Sequence, residues 1–195
     1  MWVVKLGGSL CQAGGLRDWL DGLGQLGGGR VIIVPGGGSL AREVRRLQAQ
    51  WDFDDLPAHN MAVLAMAQNA WLMQGLQPRL HLVERESEIL PALRQARTVV
   101  WSPLELLRRS PTPDTNWAVT GDSIALQLAH RLNAERLLLV KSCDTAGADL
   151  ATLQAREVLD AGFLDRLGQA AFPVDVLQVD DWPHARELLL GLAPA

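Results

Sequence analysis

The sequence of 195 residues is long enough for one domain with a substantial core or for two very small domains. Hydrophobic residues make up 48% and charged residues 21%, and the formal net charge is −4, so neither nucleic acid nor an acidic membrane is an expected partner. With two cysteines, no apolar run of about 20 residues and no basic leader, the chain is expected to be a reduced, cytoplasmic protein without a signal peptide or a membrane span.

Six short runs rich in Val, Ile and Leu are predicted to be strands, and stretches with helical spacing lie between them. This alternation predicts an α/β fold with a mainly parallel sheet, helices on both faces and a single domain of residues 1–195. The predicted strands are residues 2–6, 31–34, 79–83, 98–101, 136–141 and 174–179, and the predicted helices are residues 40–50, 57–76, 120–133, 156–170 and 183–191.

The helix predicted at residues 57–76 begins with a proline and is apolar nearly all round, so it should be buried. The helix has more apolar surface than one face of a sheet can cover, and its large apolar residues include Met61, Met66, Trp71 and Met73. This excess predicts a homo-oligomer such as a dimer, and burial within one chain is the alternative.

Two predicted strands run directly into glycine-rich turns, "KLGGS" at residues 5–9 and "PGGGS" at residues 35–39. Parallel strands bind ligands at their carboxyl ends, and a phosphate there needs backbone N–H groups that no Cβ holds away. Because Lys5 precedes the first turn, the two turns predict a phosphate site on one rim of the sheet. Tight connections between strand and helix, with no ligand, are the alternative.

Charged residues near the ends of later elements add to this site. Asp122 lies in the first turn of a predicted helix, Lys141 ends an apolar strand, and Asp144 follows three residues later. Lysines neutralise the charge on a moving phosphoryl group and an acid keeps them charged and oriented, so this combination indicates phosphoryl transfer. The stretch "GLGQLG" fits a dinucleotide-binding pattern but follows a helix-like segment and precedes a strand, so a dehydrogenase is not expected. The histidines and cysteines lack metal-ligand spacing, so no metal ligands are predicted.

Four motifs in order, "VVKLGGS", "IIVPGGGS", "TGDSIALQLA" and "LLLVKSCD", resemble the amino acid kinase family over residues 1 to 147. The resemblance implies a three-layer α/β/α sandwich that binds ATP with Mg²⁺ at the carboxyl rim of its sheet, the metal being held mainly by phosphates. It implies a catalytic set of Lys5, Asp122 and Lys141, an ATP-binding set of Gly7, Gly8, Ser9 and Asp144, and an acceptor-binding set of Gly36, Gly37 and Gly38.

Within the family, the sequence is most similar to the small [5-(aminomethyl)furan-3-yl]methyl phosphate kinases of methanofuran-type cofactor biosynthesis, a part of one-carbon metabolism. This similarity implies an ATP-dependent kinase that acts on a small phosphomonoester. Larger family members carry a second catalytic lysine in a longer nucleotide segment, and Lys141 is expected to replace it. Ala118 stands where relatives often have Asp or Asn, which favours a second hypothesis: a non-catalytic nucleotide-binding or assembly subunit with a hetero-subunit partner.

Overall fold

The computed structural model describes residues 1–12, 14–145, 147–168 and 170–192. The strands are β1 (Trp2–Leu6), β2 (Val31–Pro35), β3 (Leu80–Val83), β4 (Thr98–Trp101), β5 (Arg136–Lys141) and β6 (Val174–Gln178). The helices are α1 (Leu16–Leu26), α2 (Gly38–Trp51), α3 (Asp55–Leu76), α4 (Glu86–Arg94), α5 (Gly121–Arg131), α6 (Leu150–Ala155), α7 (Phe163–Leu167) and α8 (Trp182–Leu190).

All six strands form one parallel sheet in the order β3-β4-β2-β1-β5-β6, so the predicted α/β class is confirmed. The predicted strands match the observed ones to within one residue at each end. Their runs are largely apolar because helices cover both faces of the sheet in a three-layer α/β/α sandwich.

Alternate residues along each strand enter two separate cores. Val3 and Leu139 belong to the core that α5 covers, and Val4 and Leu138 belong to the core on the opposite face. Lys5 lies opposite Leu139 in the register of β1 and β5, and side chains two residues apart share a face. Lys5 and Lys141 therefore point from neighbouring strands toward α5.

The order of the strands places a crevice at the carboxyl ends of β1 and β5. The chain leaves β1 toward β2 on one side, whereas it leaves β5 toward β6 on the other. Connections that diverge from adjacent parallel strands leave an opening between them, and such openings are where α/β sheets bind ligands. Both lysines lie in the last two residues of the strands that border this crevice.

The prediction of a helix at residues 156–170 was wrong: among the described residues of that range, α7 at Phe163–Leu167 is the helical part, and residue 169 lies outside the described residues. The preceding helix, α6, ends at Ala155, before the predicted start. Asp149 starts α6 early by accepting a hydrogen bond from the Thr152 N–H at 2.7 Å, and Glu157 has a positive φ of 58° that ends helical geometry. Helix α4, at Glu86–Arg94, was not predicted, and it contains a proline.

Helix α3 is not fully buried, contrary to the prediction. Leu64, Trp71 and Leu72 leave 44%, 55% and 41% of their surface exposed. These residues recur at helical spacing, so they form one exposed apolar stripe. None of the helices in the described part of the chain has the length and hydropathy that crossing a membrane requires.

Candidate active site

Lys5, Asp122 and Lys141 meet at the carboxyl ends of β1 and β5. The Lys5 Nζ lies 2.8 Å from Oδ1 of Asp122, and the Lys141 Nζ donates to Oδ2 of the same carboxylate at 2.6 Å. Their side chains are buried, with 8%, 4% and 9% exposed. One carboxylate thus holds two ammonium groups side by side, and the structure brings together the three residues predicted to be catalytic.

These are the only two lysines in the sequence, and the other sixteen basic side chains are arginines. Lysine presents a compact charge on a flexible stem, whereas arginine presents a broad planar fork, so the two are not interchangeable in a confined site. A chain that uses arginine everywhere else keeps lysine at the two positions that meet at Asp122. The lysine count is a sequence signal for the site that does not depend on the motifs.

The three charges shift one another's pKa values. Burial raises the pKa of Asp122, but the charges of Lys5 and Lys141 outweigh it and leave that pKa below its usual value. Burial also lowers the pKa of Lys5, yet the Asp122 charge and hydrogen bond more than compensate, so the Lys5 pKa is raised. For Lys141, burial and then the Lys5 charge lower the pKa despite Asp122. The pKa values of the two lysines are thus shifted in opposite directions, upward for Lys5 and downward for Lys141.

Two residues from the predicted helix at residues 156–170 support the cluster, Val158 by contact with Lys141 and Asp160 by contact with the residues that flank Asp122. The Val158 carbonyl accepts a hydrogen bond from the Lys141 Nζ at 2.6 Å. The Asp160 carboxylate accepts from the N–H groups of Thr120 and Ser123, both at 2.9 Å, and from the Thr120 hydroxyl. No motif connects these positions, because about 40 residues separate them from α5 in the chain.

The two glycine-rich turns pack against each other, backbone on backbone. A Cβ on Gly8 would lie 1.9 Å from the Gly38 nitrogen, and a Cβ on Gly36 would lie 2.4 Å from the Gly8 nitrogen. Gly38 also has a φ of +59°, a conformation that favours glycine. Contact between the turns therefore requires these glycines, whatever ligand the turns bind. Asn69 of α3 fixes the second turn by donating to the Gly36 carbonyl at 2.6 Å.

A cavity of about 230 Å³ opens beside Lys5 on the side of the second turn. One wall is the N-terminus of α2, where Gly37 occupies the cap position and offers no capping side chain, so its backbone N–H groups favour an anion. Arg45 stacks on the Trp117 ring at 4.4 Å. Among the described residues that line the cavity, Asp55 is the one carboxylate. The lining also includes Gly8, Gly36, Gly37, Gly38, Arg42, His59, Asn116 and Thr120.

Of the residues predicted to bind ATP, Gly8 lines this cavity, whereas Gly7, Ser9 and Asp144 are outside its lining. The hydroxyl groups of Ser9 and Ser142 are 2.7 Å apart, which links the ends of β1 and β5. Asp144 is exposed, and its Oδ1 accepts from the Gln178 side-chain amide at 3.1 Å. The Gly7 N–H donates to the Val140 carbonyl at 3.0 Å and so continues the pairing of the strands.

Comparisons with known proteins point to one family. A model of the amino acid kinase family matches residues 1–147. The chain is 22% identical over 148 residues to a [5-(aminomethyl)furan-3-yl]methyl phosphate kinase from Methanocaldococcus jannaschii, a match that covers 74% of this chain and 67% of that protein.

Solved structures share the whole fold. A uridylate kinase from Archaeoglobus fulgidus superposes with a TM-score of 0.70 at 17% identity, covering 98% of this chain and 96% of its own. A UMP kinase from Bacillus anthracis superposes with a TM-score of 0.72 at 19% identity, covering 97% and 91%. The fold thus extends through β6 and α8, beyond the residues that the family model matches.

Proposed function

The chain belongs to the amino acid kinase family and is a small-molecule kinase, and on that premise we propose that it transfers the γ-phosphoryl group of ATP to a compact phosphomonoester. The observation that carries the proposal is a pair of buried ammonium groups, one of which, that of Lys5, lines a cavity together with Arg42, Arg45 and the N-terminus of α2. Both reacting molecules would be anions, and the cluster would lie between them.

In the proposed reaction, an oxygen of the acceptor phosphate attacks the γ-phosphorus, and the bond from that phosphorus to the bridging oxygen breaks to release ADP. Lys5 and Lys141 neutralise the charge on the transferring group and on the departing phosphate. Asp122 holds both lysines charged and oriented. Because catalysis of this kind depends on placement, the rigid position of the lysines at strand ends is an advantage.

ATP would enter on the side of Gly7, Gly8, Ser9 and Asp144, with Mg²⁺ held mainly by its phosphates. The described residues contain no group of three or more His, Cys, Asp or Glu side chains that could hold a metal by themselves. A metal carried on the nucleotide is consistent with that donor set, and when bound it would neutralise charge on the β- and γ-phosphates.

The acceptor would enter the cavity beside α2. Its phosphate would bind the helix N-terminus together with Arg42 and Arg45, because these groups supply donors and positive charge on one wall. Asp55 would then attract an ammonium group at the other end of the same molecule. The acceptor (5-(aminomethyl)furan-3-yl)methyl phosphate, which the name of the curated relative suggests, has both groups.

Turnover of ATP with a panel of phosphomonoesters and carboxylates tests the proposal, and ³¹P NMR distinguishes a diphosphate product from an acyl phosphate. Arg42→Ala and Arg45→Ala should raise the KM for the acceptor and leave the KM for ATP unchanged. Arg46→Ala is the matched control, since Arg46 lies on the same helix but pairs with Glu43 in solvent. ATP binding without turnover on any acceptor would contradict the proposal and favour a non-catalytic subunit.

We further propose that the protein is a homo-oligomer that buries the exposed stripe of α3 formed by Leu64, Trp71 and Leu72. From residue 57 to residue 76 this helix contains no Asp, Glu, Lys or Arg. An uncharged apolar stripe of this length on the surface is typical of a protein interface.

A further inference from the structure

The segment at residues 158–162, between α6 and α7, contacts both the start of α5 and the cluster of lysines. The Val158 carbonyl holds Lys141, and the Gly162 N–H donates to the Ala118 carbonyl at 2.9 Å. Between these two anchors, Asp160 contacts the first turn of α5. The segment lies beyond residue 147, where the match to the family model ends.

Asp160 acts as the cap of α5 from a distant part of the chain. The cap residue of α5 is Thr120, and its hydroxyl donates to Asp160 rather than accepting from the helix. The Asp160 carboxylate instead accepts from the Thr120 N–H and from the N–H of Ser123, three residues into the helix. A carboxylate in this place accepts hydrogen bonds from N–H groups that have no partner within the helix, and its negative charge interacts favourably with the positive end of the helix dipole. Asp122 lies between these two anchored residues, so Asp160 fixes the backbone that carries it.

Asp160 also completes the charge balance of the cluster. Lys5 and Lys141 bring two positive charges into a buried site, and Asp122 supplies one negative charge. A buried ammonium group without a full counter-charge is costly, so a second nearby carboxylate favours two charged lysines.

We infer that Asp160 is a positioning residue for phosphoryl transfer, which fixes the first turn of α5 and so holds the Asp122 carboxylate between the two lysines. The inference rests on the proposed catalytic role of the cluster. The charge of Asp160 raises the pKa of both lysines, and for Lys141 it acts against burial and the repulsion of Lys5. Loss of that charge should lower the Lys141 pKa further, because the protonated form then has less compensation.

The two-lysine composition makes a direct test possible. Lysine labelled with ¹³C at Cε should give two side-chain signals, whose titrations report Lys5 and Lys141 separately, and Lys141→Met assigns them. In Asp160→Asn we expect the titration of Lys141 to move to lower pH than in the wild type. Asp149→Asn is the matched control, since Asp149 caps α6 by a local hydrogen bond to Thr152 and should leave both titrations unchanged.

Kinetics supply the second measurement. Asp160→Asn should reduce kcat by about 10- to 100-fold with little change in either KM, and the alkaline limb of the kcat profile should move to lower pH. Asp160→Glu should restore the position of that limb, because it restores the charge, even if the longer side chain lowers kcat.

The two measurements separate the inference from the proposed function. An unchanged Lys141 titration in a folded Asp160→Asn protein overturns the inference, as does the same shift in Asp149→Asn. If Asp160→Asn does not fold, Asp160→Glu is compared instead, and a Lys141 titration at the wild-type position supports the inference whereas a lowered one overturns it. The NMR result needs no acceptor, so absence of turnover on every phosphomonoester would reject the proposed function without affecting the test of Asp160.

Discussion

Asp122→Asn is the change that tests most directly how the two lysines are held. The substitution keeps the size of the side chain but removes the negative charge that contacts both ammonium groups. Removal of one partner from a buried ion pair costs about 3–5 kcal/mol. The protein can instead release a proton from one lysine. At pH 7, which is about 3.4 units below the ordinary lysine pKa of about 10.4, this release costs about 4.6 kcal/mol, at about 1.4 kcal/mol per unit. Both routes predict that the free energy of unfolding at pH 7 falls by about 3–5 kcal/mol.

The loss should depend on pH in a defined direction. In Asp122→Asn the folded-state pKa of Lys141, already lowered by burial in the wild type, falls further below its unfolded value. The unfolded chain then binds more protons than the folded one, so stability rises with pH, by at most about 1.4 kcal/mol per unit, until the ordinary lysine pKa is reached. In the wild type the pKa of Lys5 is raised, so the stability that charged Lys5 contributes is fully present at pH 7. That stability is lost only as the pH rises above the ordinary lysine pKa.

Urea unfolding followed by tryptophan fluorescence at pH 7 and at about pH 9.5 measures both effects. The deficit of Asp122→Asn relative to the wild type should be largest at pH 7 and should shrink at the higher pH. Adding Lys141→Met to Asp122→Asn should recover part of the loss, because one unpaired ammonium group is removed. A variant as stable as the wild type at pH 7, or one equally weakened at both pH values, would refute the reasoning.

Three further predictions test other parts of the structure. Gly8→Ala places a Cβ 1.9 Å from the backbone nitrogen of the opposing turn and should lower the free energy of unfolding by about 3 kcal/mol or more. Gly75→Ala, in an open position of α3, should instead raise the free energy of unfolding by about 0.5–1 kcal/mol. Equal effects of the two substitutions in denaturant titrations would contradict the packing of the turns. Trp71→Glu should convert the proposed oligomer to monomer in light scattering, and an unchanged mass would reject that interface. Trp117→Phe removes the hydrogen bond from the Trp117 indole to Gln48 at 2.6 Å and should raise the KM for the acceptor more than the KM for ATP. A larger rise in the KM for ATP would show that the cavity does not hold the acceptor.

The strands were predictable because each is a short, largely apolar run that is followed by glycine or by a polar segment. Such runs can be recognised from local sequence alone, because a strand in a parallel sheet that is covered on both faces consists mainly of apolar residues. The helix predicted at residues 156–170 failed for the opposite reason. Its residues have acceptable helical spacing, but the Val158 carbonyl and the Asp160 carboxylate form bonds with distant parts of the chain that a helix would not permit.

The exposed stripe of α3 shows the same limit. Composition revealed an unusually apolar helix, but the prediction that it would be buried required knowing how much of it the sheet covers. The glycine-rich turns were assigned to phosphate approach from local sequence. Their contact with each other became visible only when β1 and β2 were placed side by side.

By itself, the sequence determined the six strands, the parallel α/β architecture and the identity of the residues in the cluster, because hydrophobic runs and short motifs are local properties. The tertiary structure alone decided that one carboxylate would hold both lysines and that Asp160 would cap α5 from 37 residues away. Those contacts join residues that are far apart in the sequence, and no local pattern in the sequence indicates which distant residues will meet. The close approach of the buried charges depends in addition on the register of neighbouring strands.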